Sequence, residues 1–158
     1  MPEEGRNIEN IKILHIHNVA GIAGTLTKFI DGNYGTESLV LMRSALDKYN
    51  FMRDGSKSNC GAISFILKCI LTARKFNIIH IHDLDKIVPW LKRLYNNKPV
   101  VLHYHGTRIR GLWKEREELW KKSDAILVST PDLLEGAPKS AIYVPNPVDI
   151  RFFTQNRP

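Results

Sequence analysis

The sequence predicts an α/β domain in which a mainly parallel, doubly wound sheet carries helices on both faces. Three observations lead to it. Strand-like and helix-like segments alternate along most of the chain, the order that builds parallel sheets. The strand-like segments are short and continuously apolar, as strands buried on both faces are. Glycine, histidine and arginine gather where strands end, most clearly in residues 98–111 (KPVVLHYHGTRIRG). The strand ends of an open α/β sheet are where ligands bind.

Residues 1–10 (MPEEGRNIEN) are a polar, partly acidic lead-in without the apolar run of a secretory signal. Residues 11–16 (IKILHI) are short and β-branched and read as the first strand, closed by His17 and Asn18. Gly21 and Gly24 sit at the handover to a helix whose apolar positions, Ile22, Leu26, Phe29 and Ile30, share one face. Asp31-Gly32-Asn33 is expected to end that helix. Residues 38–43 (SLVLMR) predict the second strand. The signal then weakens, leaving a short strand near residues 48–53 and a loop over DGSKSN. Residues 62–75 predict a helix with Ile63, Ile66, Leu67, Ile70 and Leu71 buried, and Ser64, Lys68, Thr72 and Lys75 outside. After Asn77, residues 78–82 (IIHIH) form a strand, and Asp83-Leu84-Asp85 leads to a helix beginning near Pro89. The apolar strand at 100–102 runs straight into His103 and His105. Leu112, Trp113, Leu119 and Trp120 predict a further helix, with Glu117 paired to Lys121 and Glu118 to Lys122 on its outside. Residues 125–129 form a strand, 131–135 a short helix and 141–144 the last strand. The result is a Rossmann-like domain over residues 11–149, with 150–158 beginning a linker.

At 158 residues the chain is one domain long, and its 43% hydrophobic and 25% charged residues are those of a globular protein with a proper core. No run approaches the ~18 apolar residues that span a bilayer. Cys60 and Cys69 form no CxxC pair, which fits reduced thiols in the cytoplasm. The formal net charge of +7 favours an anionic partner such as phosphate groups or acidic lipid headgroups. The basic residues are spread over several elements, with no basic arm, zinc-finger spacing or RNP-like motif, so a nucleic-acid partner is not expected.

Residues 21–24 place glycine at a helix N-terminus, where unpaired amides favour a phosphate; the same glycines equally serve a tight turn. Neither GxGxxG nor a Walker lysine is present, so the dinucleotide and P-loop fingerprints are not met. Three His-x-His pairs, His15/His17, His80/His82 and His103/His105, each put two imidazoles on one strand face. In the usual strand order their strands are neighbours, and His17, His82 and His105 end at one edge. Three imidazoles with an open fourth position suit zinc and a metal-assisted hydrolase. Buried strand histidines satisfied by backbone partners are commoner, and only Asp83 and Asp85 offer a carboxylate second shell. The sequence reading assigns no metal.

These segments in their order (the loop with Gly21 and Gly24, the strand IIHIHD, VVLHYHGTRIRG, SDAILVSTPDLLE and YVPNPVDIRFF) resemble the N-terminal domain of GT-B glycosyltransferases, in particular the large retaining family often called group 1. The resemblance covers about residues 11–153. It implies that this domain holds the acceptor and one wall of the cleft, while a second Rossmann-like domain binds a nucleotide-sugar. It implies a donor-phosphate loop at Gly21, Gly24 and Thr25, and a catalytic His105, from the HG motif, lying against the transferred sugar. His17, His82, Asp83, Gly106, Thr107, Arg108, Ser129 and Asn146 then line the acceptor cleft. No cofactor and no metal is implied; the nucleotide-sugar is the donor substrate. Two positions depart from the pattern. Arg108 stands where many members have aspartate, and the first loop reads AGIAG rather than carrying adjacent glycines.

In that family the PNPVD-like segment leads into the nucleotide-binding domain, and here nine residues follow Asp149. The expectation is an acceptor-binding half, inactive alone and completed by a C-terminal domain in cis or as a separate subunit. Its acceptor would be a sugar, phosphorylated or lipid-linked, met in the cytoplasm or at the inner membrane face. The 62–75 helix offers a route to peripheral membrane contact. Two other readings stay open: a non-catalytic binding or scaffold subunit of the same fold, and a metal-dependent hydrolase built on the histidines.

Overall fold

The computed structural model describes residues 10–50 and 55–150. Seven strands form one all-parallel sheet: β1 (Lys12–Ile16), β2 (Glu37–Arg43), β3 (Ser56–Ser58), β4 (Ile78–His82), β5 (Val100–Tyr104), β6 (Ala125–Val128) and β7 (Ala141–Tyr143). Their spatial order is β3-β2-β1-β4-β5-β6-β7. Helix α1 (Ile22–Tyr34) joins β1 to β2, α2 (Ala62–Ala73) joins β3 to β4, and α3 (Val88–Leu94) joins β4 to β5. A single turn, α4 (Glu117–Trp120), lies between β5 and β6. This is a doubly wound, Rossmann-like α/β fold. The order reverses between β1 and β4, and the crevice outside the C-terminal ends of those strands is where such a sheet receives ligands.

The register sorts side chains into two faces. His15 lies beside Val40 and His80, His80 beside Val101, and His82 beside His103. Lateral neighbours share a face and successive residues alternate. The strand histidines therefore all stand on the face of Val40 and Met42, where α1 packs through Ala23. On the opposite face Leu14, Ile16, Ile79, Ile81, Leu102 and Tyr104 form the main core with Phe65, Cys69 and Ala73 of α2 and Val88 and Leu91 of α3. Burial there pushes the Cys69 thiol up to about 12 and leaves it inert. A polar hub pins this core beneath the site: buried Asp85 accepts the Tyr104 hydroxyl at 2.8 Å and Arg116 Nη1 at 2.8 and 2.6 Å.

Several details depart from the sequence reading, each for a local reason. Helix α1 continues through Asp31-Gly32-Asn33 and ends at Gly35, whose φ of 64° closes it. The Asp31 carboxylate reaches forward to the Ser38 amide and hydroxyl at 2.9 and 2.7 Å, tying the helix end to β2. The strand expected near 48–53 is a turn at residues 48–49, and residues 51–54 lie outside the described residues. Strand β3 falls instead within DGSKSN, pairing Ser56 with Leu41.

Helix α2 is rotated relative to the expectation. It buries Phe65, Cys69 and Ala73, with Ile66 and Ile70 packed at the margin, and leaves Ile63, Leu67 and Leu71 77%, 55% and 62% exposed. Apolar residues cover so much of its circumference that the periodicity permits two stripes, and the sheet selects one. Lys68, placed outside by the pattern, reaches Ser58 Oγ at 2.6 Å. The helix expected around 112–122 shrinks to one turn because Gly106 (φ 153°) and Gly111 (φ 70°) bend the chain before it. Its ion pair joins Lys121 to Glu118 instead of spanning a full turn. Residues 131–134 form a 3-10 turn. The lead-in up to residue 9 and the linker from 151 lie outside the described residues. No helix among the described residues is long and apolar enough to cross a membrane.

Candidate functional site

Strands β1, β4 and β5 deliver their histidines to the C-terminal edge of the sheet. A hydrogen-bonded chain runs from His15 Nδ1 to His82 Nε2 (3.2 Å), from His82 Nδ1 to His105 Nε2 (2.9 Å) and from His105 Nδ1 to Asn146 Oδ1 (3.1 Å). The chain orders the tautomers. The Asn146 carbonyl oxygen only accepts, so His105 carries its proton on Nδ1 and accepts at Nε2 from His82 Nδ1–H. His82 Nε2 in turn accepts from His15 Nδ1–H. All three rings are neutral: burial holds His15 and His105 down at about 4 and His82 well below its ordinary 6.5. Burial likewise lowers His103 to about 3 and His17 to about 4, the Arg108 charge adding to the effect at His17.

The exit of β5 is built around Asp83 and Gly106. Asp83 adopts φ 59° and its Oδ1 accepts the His105 amide at 2.9 Å. Burial raises the Asp83 carboxyl to about 6. Gly106 adopts φ 153°, and its carbonyl accepts the amides of Ile109 and Arg110 at 3.1 and 3.2 Å. A Cβ there would meet nothing within 4 Å, so glycine serves the backbone angle and not the space. The turn leaves Thr107 and Arg108 exposed. Next to it a crevice of about 190 Å³ opens between Arg43, Phe65, Asp83, Lys86 and Arg108. That is smaller than the roughly 300 Å³ at which complete small-molecule pockets begin. Arg43 Nε is buried without a hydrogen-bond partner.

The structure thus gathers His82, Asp83, His105, Gly106, Arg108 and Asn146. Ser129 joins them from the end of β6: its amide donates to the Tyr104 carbonyl at 3.0 Å, and its buried Oγ has no partner. His17 does not enter the hydrogen-bonded chain; it leaves the strand at φ 74°, its Nδ1 is buried unpartnered, and His15 takes the place expected for it. The glycine loop is more occupied than expected. Gly21 (φ 83°) starts α1, but Gly24 lies inside the helix and donates its amide to Asn18 Oδ1 at 3.2 Å. The Thr25 hydroxyl turns back onto the Gly21 carbonyl at 3.2 Å.

Sequence reasoning missed Arg43, which carries no signal beyond ending a predicted strand, and the inward role of His15 and His80. The His-x-His spacing did hold the latter signal, since both members of each pair face the same way. No protein-family model matches the chain, and no curated protein matches it.

Proposed function

We propose that the chain is the acceptor-side half of a glycosyltransferase cleft that takes its sugar from a nucleotide-sugar. The observation that supports this most is the β5 exit at the topological switch point, where a neutral, oriented His105 is followed by Arg108, which with Arg43 lines the neighbouring crevice. Breaking a glycosidic bond to a diphosphate leaves positive character at the anomeric carbon and negative charge on the leaving oxygen. A protonated imidazole would oppose the first; burial keeps His105 uncharged. Both its ring nitrogens are already engaged, so the ring acts as a fixed wall against the sugar and not as a proton carrier. Arg43 and Arg108 supply charge-assisted donors for an anionic group, either the leaving phosphate or a phosphate on the acceptor. A second domain, in cis or as a separate subunit, would hold the nucleotide, and the reaction would take place in the cytoplasm or at the inner face of the membrane.

The test is a nitrogen-15 NMR titration of this chain with hexoses and hexose phosphates. Shifts should be confined to Asp83, His105, Gly106 and Arg108, with sugar phosphates preferred. Arg43→Ala should weaken the phosphate preference by about 10-fold or more, the worth of one charge-assisted bond. No shift at tens of millimolar sugar, or shifts elsewhere on the sheet, would sink the reading. Where a donor-binding domain is supplied, His105→Ala should abolish transfer without unfolding the protein; unchanged transfer counts against the role of His105.

A further inference from the structure

The histidine cluster extends deeper than the cleft needs. His15, His80 and His82 stand on one sheet face of the adjacent strands β1 and β4, and are 0%, 8% and 0% exposed. One imidazole nitrogen from each lies within 4.8 Å of the other two. Hydrogen bonding accounts for the His15–His82 contact but not for the nitrogens around it. The chain from Asn146 ends at His15, leaving His15 Nε2, His80 Nε2 and both nitrogens of His103 buried without partners. Native interiors rarely leave such groups unsatisfied, and a bound ion is one of the usual reasons when they do.

We propose that His15, His80 and His82 form a three-histidine site for a borderline transition-metal ion of the zinc class. Zinc–nitrogen bonds of about 2.0–2.1 Å place tetrahedral nitrogens roughly 3.3 Å apart. His15 Nδ1 and His82 Nε2 already stand 3.2 Å apart, so an ion between them would replace the hydrogen bond they share, with the His15 proton moving to Nε2, and His80 supplies the third nitrogen within 4.8 Å. An all-imidazole donor set suits zinc, copper, nickel and cobalt and disfavours magnesium or calcium, which require oxygen ligands. The outer shell is present as well. His82 donates Nδ1–H to His105 Nε2, the kind of partner that fixes the tautomer of a ligating histidine. The His103 ring, 5.5 Å from His80 and 5.7 Å from His82 between centroids and with both nitrogens unpartnered, is a further donor close by. A second trio, His82, His103 and His105, also meets the spacing. It would break the link that ties His82 to His105 and Asn146 and leave His80 Nε2 unexplained, whereas the inner trio replaces only the inward His15–His82 bond, so the inner trio is favoured. The metal would then sit behind His105 and orient it through His82, without entering the cleft.

The test is metal binding by this chain after chelator treatment. Cobalt should bind at one equivalent with the intense visible absorption of a four-coordinate nitrogen site, and zinc should displace it. His80→Gln should weaken binding by more than the 10- to 100-fold typical of losing an outer-shell partner. His17→Gln, a half-buried neighbour outside the trio, should leave it unchanged. Circular dichroism of the metal-free variants checks the fold. Should His80→Gln fail to fold, cadmium-loaded wild-type protein decides the matter, since scalar coupling must reach nitrogens of His15, His80 and His82. Weak six-coordinate cobalt absorption, substoichiometric binding, or coupling to His103 and His105 in place of His15 and His80 overturns the assignment.

Discussion

Replacing Asp85 by asparagine should destabilise the domain by about 3–5 kcal/mol, the usual effect of breaking a buried ion pair from one side. The carboxylate side chain is 3% exposed and the Arg116 side chain 20%. The carboxylate accepts from the Tyr104 hydroxyl at 2.8 Å and from Arg116 Nη1 at 2.8 and 2.6 Å. Asparagine keeps the volume and one acceptor but removes the charge, so a half-buried guanidinium is left facing a neutral amide. Hydrogen bonds to charged groups contribute about 1.5–3 kcal/mol, and the stranded cation brings the total into the stated range. For a domain of this length each kcal/mol moves Tm by roughly 2–4 °C, so thermal melts should fall by about 6–20 °C. Adding Arg116→Met should recover part of the loss, because no unpaired charge then remains, and the double-mutant cycle should show coupling of at least about 1 kcal/mol. A loss below about 1 kcal/mol for Asp85→Asn, or strictly additive effects, would refute the hub. The hub joins the exits of β4 and β5 to the segment after Gly106, so its loss should also loosen the ground on which His105 stands.

On α2, Phe65→Ala should cost about 3–5 kcal/mol, whereas Leu67→Lys, at a site 55% exposed, should stay within about 0.5 kcal/mol; equal effects in urea melts would mean that the helix sits in the other rotation. Gly106→Ala should destabilise by about 1–3 kcal/mol because φ 153° is strained for any residue with a Cβ, and a neutral result would show that the β5 exit relaxes freely. Metal-free protein should lose stability as pH falls from 6.5 toward 4. His15, His17 and His105 sit near 4 when folded and near 6.5 when unfolded, so the unfolded state binds protons first. Each of these histidines then removes about 1.4 kcal/mol per pH unit, and a flat urea midpoint across that window would refute their burial as neutral rings.

All the strands but β3 were legible because their chemistry is local; β3, the polar Ser56–Ser58, lay in a stretch expected to be a loop. Residues 78–82 are continuously apolar but for the histidines, and β4 occupies Ile78–His82 as read. Helix α2 was legible as a helix but not in its rotation. Ile63, Leu67 and Leu71 repeat every four residues just as Phe65, Cys69 and Ala73 do, and only contact with Ile79, Ile81 and their neighbours distinguishes the two stripes. The segment 106–116 misled for a different reason. Trp113 and Trp120 look helical in spacing, yet Trp113 donates its indole to the Leu133 carbonyl at 3.0 Å and Trp120 to the Trp113 carbonyl at 2.7 Å. Their placement is set by polar tips reaching across the fold, which periodicity does not register.

The histidine cluster turns on register, which strand spacing alone does not fix. Reading His17, His82 and His105 as level assumes that three strands end together. The pairing sets His15 beside His80 and His82 beside His103, so the β5 pair lies one side-chain row further out than the pairs of β1 and β4. Two consequences follow from that single offset. His103 falls level with His82 and packs within the cluster, while His105 is carried past the edge to where Gly106 turns the chain. The offset yields a graded series, enclosed at His15 and His80 and reaching the edge at His105, with His82 hydrogen-bonded both inward and outward. Among the described residues His82 is hydrogen-bonded to both ends of that series, so a change at the enclosed imidazoles reaches the edge through its ring.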